Sequence, residues 1–241
     1  MPPDDTHEAL ADLLAREQIT QVGALYIAAS EWTRLQTESG ALLGAYHRQY
    51  PLRSGMPREE WRARLGLPAR ELGAVLAALA ETGALEDVSA ATTTGGARGA
   101  FVRLPGHRAQ PTPQQERAVA ALLARFRAAP FTPPTRPEVD DELGTELTNL
   151  LIEQGTLVKL NDEIVLERAA YEEAVRRILA HLRANDRITV AEARDLLGAT
   201  RKYTLAIFAH LDERHLTARQ GDDRVLGRNA TNPPLEQDQL L

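Results

Sequence analysis

The sequence predicts a mainly α protein with small β-hairpins, an α+β chain of short units in tandem. Three observations carry that expectation. Ala, Leu and Arg dominate, and aromatic residues are few (Phe 4, Trp 2, Tyr 5), a composition that suits compact helical units better than a large β structure. Fourteen Pro and sixteen Gly are scattered along the 241 residues, leaving helical runs of roughly 10 to 16 residues between them. A weak repeat also recurs at intervals of roughly 60 to 70 residues. In each copy a leucine-rich helix ends and an apolar residue then opens an extended segment, as in Leu13 to Ile19, Leu79 to Leu85, Leu151 to Leu157 and Leu211 to Leu216.

Taken in order, the first unit (residues 1–40) is cut short. Residues 7–16 give one helix and Ile19 to Ala28 give strands, without the two helices that open the other units. The second unit (41–107) has a helix over Ala41 to Tyr50, broken by Pro51-Leu52-Arg53-Ser54-Gly55. A second helix over Pro57 to Leu65 has Pro57 in its first turn, and a third runs from Pro68 to Glu81, closed by Gly83. A flexible tip, Thr92-Thr93-Thr94-Gly95-Gly96, leads to a strand over Ala100 to Leu104. The third unit (108–170) starts at Thr112-Pro113-Gln114-Gln115, a capping box with Pro at the first helical position. Its first helix ends near Ala128, and Pro130-Phe131-Thr132-Pro133-Pro134 is a rigid break. Helices near Pro137 to Leu143 and Thr145 to Gln154 follow, then a hairpin over Leu157 to Leu166 turned by Asn161-Asp162. The fourth unit (171–228) has a helix over Tyr171 to Ala184 with Val175, Ile178, Leu179 and Leu182 on one face. A capping box at Thr189-Val190-Ala191-Glu192 opens the next helix, Gly198 ends it, and Thr200 caps a third helix reaching about Glu213. Residues 229–241 read as a disordered tail. A helix, two more helices and a hairpin is the order of a winged helix, so the chain reads as tandem winged helix-turn-helix domains.

A net charge of −6 argues against a protein that coats nucleic acid along its whole surface. The charge is uneven: residues 171–228 hold eleven basic against nine acidic side chains, so a confined site at that end is expected. Lys159 and Lys202 are the two lysines, and the rest of the positive charge is arginine. With no cysteine there is neither a disulfide framework nor a thiolate metal site. No apolar run is long enough to span a bilayer and no signal peptide is recognisable, so a soluble, cytoplasmic protein with no membrane partner is expected.

The candidate site lies in the fourth unit. On a helical wheel Thr204, Ile207, Phe208 and Leu211 face the core, whereas Arg201, Lys202, Leu205, Ala206, Ala209 and His210 lie on the other side. Two positive residues in a first turn oppose the helix dipole, so local stability does not select them. An anion there would gain from the free backbone N–H groups. The following hairpin carries Arg219 before Gly221 and Arg224 after it, with Gly221 and Asp222 suited to a tight turn. Two arginines on a wing facing a basic helix start match a clamp for a nucleic-acid backbone, because arginine forks onto phosphate and stacks on unpaired bases. From charge alone a solvated arginine-rich surface stands level with this reading. Elsewhere Arg58, Arg62 and Arg64 alternate with Glu59 and Glu60, and Arg176 and Arg177 follow Glu172 and Glu173, as salt-bridged faces do. Asp140-Asp141-Glu142 reads as a solvated acidic turn and His107 as a linker residue. There is no phosphate-binding loop and no nucleophile elbow. His210 and His215 lack the carboxylate partner of a metal motif, so neither catalysis, a metal nor a cofactor is expected of this chain.

Thr200-Arg201-Lys202-Tyr203-Thr204, followed by Leu216-Thr217-Ala218-Arg219-Gln220-Gly221-Asp222-Asp223-Arg224-Val225-Leu226, resembles the end of the bacterial selenocysteine-specific translation elongation factors (SelB). That family reads SRKYAL…LD…G.T.R.GD.R.L there. The boundary stretch from His47 to Arg64 resembles the family's P-L-R-x-G-M-P-R-E-E-x-R, and Val102-Arg103-Leu104-Pro105-Gly106-His107 matches a connector. The likeness covers residues 41 to 228, with Thr200 where the family often has Ser and Thr204 where it often has Ala. It implies four winged helices behind a GTPase. The last of them would bind the selenocysteine insertion hairpin of the messenger RNA, so that selenocysteinyl-tRNA is delivered at UGA. The GTPase and tRNA-binding portion, and with it GTP and the ribosome contact, would lie outside this chain, which is read as a monomer. Carried residue by residue, RNA contacts would come from Arg201, Lys202 and Tyr203 on the helix and from Arg219, Gly221, Asp222 and Arg224 on the wing. Core packing is the strongest alternative for Tyr203, and turn formation for Gly221 and Asp222. The rival readings are a winged-helix DNA-binding regulator, against which Ala206 and Ala209 count, and a protein-interaction scaffold.

Overall fold

The computed structural model describes residues 3–89 and 100–230. They form two compact units, one comprising residues up to 89 with 100–110, the other residues 111–230. The expected tip at Thr92 to Gly96 and the tail from residue 231 lie outside the described residues.

In the first unit, helix α1 (Pro3–Ala15) precedes strands β1 (Ile19–Val22) and β2 (Leu25–Ala28). These pair antiparallel from Ile19↔Ala28 to Val22↔Leu25. Strand β2 runs directly into α2 (Ala29–Gln49). This helix was expected to begin at Ala41, so the division between residues 40 and 41 falls inside one continuous helix. The reason is visible in its buried face: Trp32, Leu35, Ser39, Leu43, Tyr46 and His47 recur at helical spacing through that point. Strand β3 (Met56–Pro57), helix α3 (Arg58–Arg64), a 3₁₀ turn (Ala69–Glu71), helix α4 (Leu72–Glu81) and strands β4 (Glu86–Ser89) and β5 (Ala100–Arg103) follow. The three strands form a sheet of order β3-β5-β4. Pro57 is therefore not in a first helical turn. It pairs with Phe101 on an edge strand, where a residue without an N–H is tolerated. The core gathers Met56, Trp61, Val75, Leu79 and Val102, each fully buried, and the Trp61 indole donates to Ser39 Oγ at 3.0 Å.

The connector after β5 is fastened to the end of α2. His47 Nε2 accepts from the Leu104 N–H at 3.1 Å, and the His47 and His107 rings stack at 3.5 Å. His107 Nε2 lies 3.0 Å from the Arg53 carbonyl, which makes it the donor. The linker histidine of the sequence reading is a structural fastening.

In the second unit, α5 (Pro113–Ala128) opens on the expected Thr112 capping box. Helix α6 (Arg136–Leu143) opens on a second box, with the Glu138 carboxylate accepting from the Thr135 N–H at 2.7 Å. Asp140, Asp141 and Glu142 belong to this helix and not to a turn. Helix α7 (Thr145–Glu153) and the hairpin β6 (Leu157–Lys159) and β7 (Val165–Glu167) come next. Then α8 (Arg168–Asn185) starts without a gap, three residues ahead of the expected Tyr171. Strand β8 (Arg187–Ile188), helices α9 (Val190–Leu197) and α10 (Arg201–Glu213), and strands β9 (Thr217–Gln220) and β10 (Asp223–Leu226) complete the unit, with sheet order β8-β10-β9. Asn229 and Ala230, placed in the tail by sequence, are held. The Asn229 N–H bonds the His215 carbonyl at 2.9 Å, and Arg183 donates to the Ala230 carbonyl at 3.0 Å.

Candidate nucleic-acid interface

Helices α9 and α10 form the helix-turn-helix. The Thr189 hydroxyl accepts from the Glu192 N–H and the Glu192 carboxylate accepts from the Thr189 N–H at 2.7 Å, which fixes the start of α9. Gly198, at φ +66°, closes it in a conformation open to glycine, and α10 starts three residues on. Thr200 occupies the cap position, but its side chain makes no cap hydrogen bond, contrary to expectation. Its carbonyl takes both the N–H and the hydroxyl of Thr204, each at 3.0 Å. The first-turn N–H groups are thus left without a side-chain acceptor from the cap, and the positive end of the helix is unshielded there.

Thr204, Ile207, Phe208 and Leu211 are fully buried, as the wheel requires. Ala206 and His210, assigned to the outer face, are buried too. The core wraps further round α10 than one face because Tyr171 of α8 meets the His210 ring edge-on at 5.3 Å. The exposed face of α10 consists of Arg201, Lys202, Leu205, Ala209 and Glu213.

The structure sorts the seven candidate residues. Arg201 is exposed and, among the described residues, makes no ion pair or hydrogen bond. Lys202 is half-exposed, with Nζ at 2.8 Å from Glu163 Oε2 in the β6–β7 turn, a hydrogen bond that pushes its pKa up. Tyr203 is buried and its hydroxyl donates to the Pro133 carbonyl, so the ring packs inside the unit instead of facing a ligand. On the wing, Arg219 is exposed, its Nε donating to the Gly221 carbonyl at 2.8 Å. Gly221 has φ +64° at the tip, and Asp222 is exposed beside it, 3.7 Å from Arg219.

Arg224 does not join the others. It is buried, its Nε donates to Asp212 Oδ2 at 2.8 Å and its guanidinium lies over the Phe208 ring at 5.1 Å. Register explains this: Arg224 pairs with Ile188 on one side and Arg219 on the other. It therefore occupies the middle of the sheet, above the core, and Asp212 compensates its charge. Sequence reasoning missed Asp212, Glu163 and Pro133 as partners of the site. None could be found from local spacing, since Tyr203 and Pro133 stand 70 residues apart. The other basic clusters are paired as expected, with Arg62 on Glu59, Arg64 on Glu60, and Arg176 and Arg177 on Glu173.

A helix-turn-helix whose second helix is followed by a hairpin carrying an exposed arginine defines the class: tandem winged-helix proteins. Residues 41–89 and 180–226 each match a family described as elongation factor SelB, winged helix. A selenocysteine-specific elongation factor of Desulfomicrobium baculatum is 26% identical over 192 residues, which is 76% of this chain and 29% of that protein. The bacterial elongation factor EF-Sec shares the fold, with a TM-score of 0.50 and 15% identity over 88% of this chain and 32% of its own. The mRNA-binding domain of SelB from E. coli in complex with SECIS RNA matches at TM-score 0.37 and 19% identity, over 48% of this chain and 99% of that one. The chain spans about a third of the length of the full elongation factors it matches. No helix among the described residues is long and apolar enough to cross a membrane.

Proposed function

We propose that the last winged helix binds a messenger-RNA hairpin, and that the chain serves the placement of selenocysteine at UGA codons in the cytoplasm. The observation that carries this reading is Arg201, whose guanidinium, at the first position of α10, has no partner among the described residues, in a unit whose wing exposes Arg219. Helix start and wing together offer two forks for phosphate or unpaired bases, next to uncapped N–H groups. The backbone contacts set register, and bulged or loop bases supply specificity. Recognition, not catalysis, is the chain's task in this reading. A GTPase portion would deliver the tRNA on the ribosome, with the preceding winged helices as spacer.

The test is fluorescence anisotropy of the protein with a bulged hairpin from the same organism's UGA-containing reading frame. A fully paired hairpin and duplex DNA of equal length serve as comparators. Arg201→Ala/Arg219→Ala is expected to weaken the bulged hairpin by roughly ten- to a hundredfold, since each arginine contact to nucleic acid is worth about 1–3 kcal/mol at best. Equal affinity for DNA would support a regulator instead, and no binding at low salt would leave a protein scaffold.

A further inference from the structure

We propose that Glu163 is a specificity-determining residue of the nucleic-acid site: it keeps Lys202 out of general phosphate binding and leaves Arg201 and Arg219 to engage RNA. This rests on the reading that the last winged helix binds RNA. The backbone that carries Glu163 is held in place, so its carboxylate starts from a defined position. The Asn161 side-chain carbonyl accepts from the N–H groups of Glu163 and Ile164 at 2.9 and 2.8 Å. The Glu163 carbonyl accepts from the Arg136 N–H at 2.8 Å, and the neighbouring Asp162 is taken by Lys159 at 2.6 Å. The hairpin tip is thus held at several points and presents one carboxylate to Lys202, at 2.8 Å. The other side of the contact is also fixed, because Tyr203, next in sequence, is buried with its hydroxyl on Pro133.

Both partners of the Lys202–Glu163 pair remain about half or more exposed, at 51% and 66%. Such a pair adds little to stability, so folding does not account for it. Its effect is on charge. A phosphate approaching Lys202 meets Glu163 at the same spot and must displace a tethered carboxylate instead of a diffusible counterion. Arg201, one residue earlier, carries no such screen among the described residues. Non-specific binding scales with the number of cations that can each release a counterion from the backbone. Screening one of a few cations therefore lowers affinity for any duplex more than for a ligand docked through Arg201 and Arg219.

The experiment uses the full chain and a double-mutant cycle of Glu163→Gln and Lys202→Gln, titrated against paired duplex RNA over a salt series and against the bulged hairpin. Glu163→Gln is expected to bind the duplex about threefold more tightly at moderate salt, with a salt slope steeper by about one, as for one added phosphate contact. Its effect on the hairpin is expected to be smaller, so the preference for the hairpin falls. In the Lys202→Gln background the gain should vanish, and Lys202→Gln alone should change hairpin affinity by less than about twofold. The proposal is overturned by unchanged duplex affinity and slope in Glu163→Gln, or by the same gain without Lys202, which would be net charge alone. A Lys202→Gln loss on the hairpin as large as that of Arg201→Ala also overturns it. The RNA reading fails separately, if the unmodified chain does not prefer the hairpin; the coupling is read on duplex alone.

Discussion

Arg219 and Arg224 are cross-strand partners, alike in sequence terms, yet they sit in different chemistry. Arg219 stands exposed on the edge strand β9, while Arg224, on the central strand β10, lies over Phe208 and is compensated by Asp212. An arginine in a wing is a candidate contact where it lies on the edge strand, and that depends on strand order, which the sequence did not disclose. Tyr203 shows the opposite case: its packing alternative was legible, and burial with a hydroxyl on Pro133 bears it out. Two histidines carry a testable consequence. Burial, helped by His107 and then Arg103, pushes His47 down to about 4. Burial, then Arg214, pushes His210 to about 4 as well. His47 Nε2 accepts from Leu104, so its proton resides on Nδ1, and a second proton would break that bond. The unfolded chain takes up protons from about pH 6.5 downward, whereas the folded chain does so only near 4. Stability is therefore present above about 6.5, falls as pH drops towards 4 and then levels, by on the order of 2–3 kcal/mol per histidine. Urea midpoints between about pH 7.5 and 4 should show this decline, and His47→Gln should flatten it for the first unit. An unaltered slope in that variant would remove His47 from the explanation.

At the scale of elements, the helices and hairpins were legible and the two shortest strands were not. The wheel and the capping boxes at Thr112 and Thr189 placed α5, α9 and the buried face of α10. Strands β3 and β8, two residues each, are too short to show alternation. Each nevertheless closes a three-stranded sheet with the following wing. The corresponding stretch between α5 and α6 forms no strand, and its prolines explain why: Pro130, Pro133 and Pro134 have no N–H to donate. The Pro133 carbonyl serves Tyr203 instead. The two threonine caps of the helix-turn-helix look equivalent in sequence but differ in structure. Thr189 makes a reciprocal box with Glu192, while the Thr200 side chain bonds no first-turn N–H. Thr189→Ala is expected to destabilise the second unit by about 1 kcal/mol and Thr200→Ala by only a few tenths. Thermal midpoints of the two variants decide the matter, and equal losses would mean that Thr200 caps in solution.

Across the whole molecule, the chain read from its repeat as four modules is gathered into two compact units. The reason lies in the third hairpin. Leu157 and Val165 pack into one core with Leu122, Phe126 and Val139. Val158 and Leu166, on the opposite face, pack into another with Tyr171, Val175 and Ile178 of α8. Because side chains alternate along a strand, a hairpin whose both faces are apolar must be covered twice, once by its own helices and once by the next module. The run Leu157-Val158 and the run Val165-Leu166 carried that signal in the sequence, since strands buried on both faces lose alternation. The periodic view of independent repeats hid it. The last winged helix should therefore not stand alone. A fragment of residues 168–230 would expose the α8 surface that Val158, Ile164, Leu166 and Phe131 now cover. Exposing several apolar side chains costs about 1.5–3 kcal/mol each for full exposure, a large part of the stability of a small domain. Residues 111–230 should unfold in one cooperative transition by denaturant, followed by both circular dichroism and the fluorescence of Tyr171 and Tyr203. The shorter fragment should melt far lower or fail to fold, and its hairpin affinity should fall with it. Equal stability of the two fragments would show that the shared core contributes nothing.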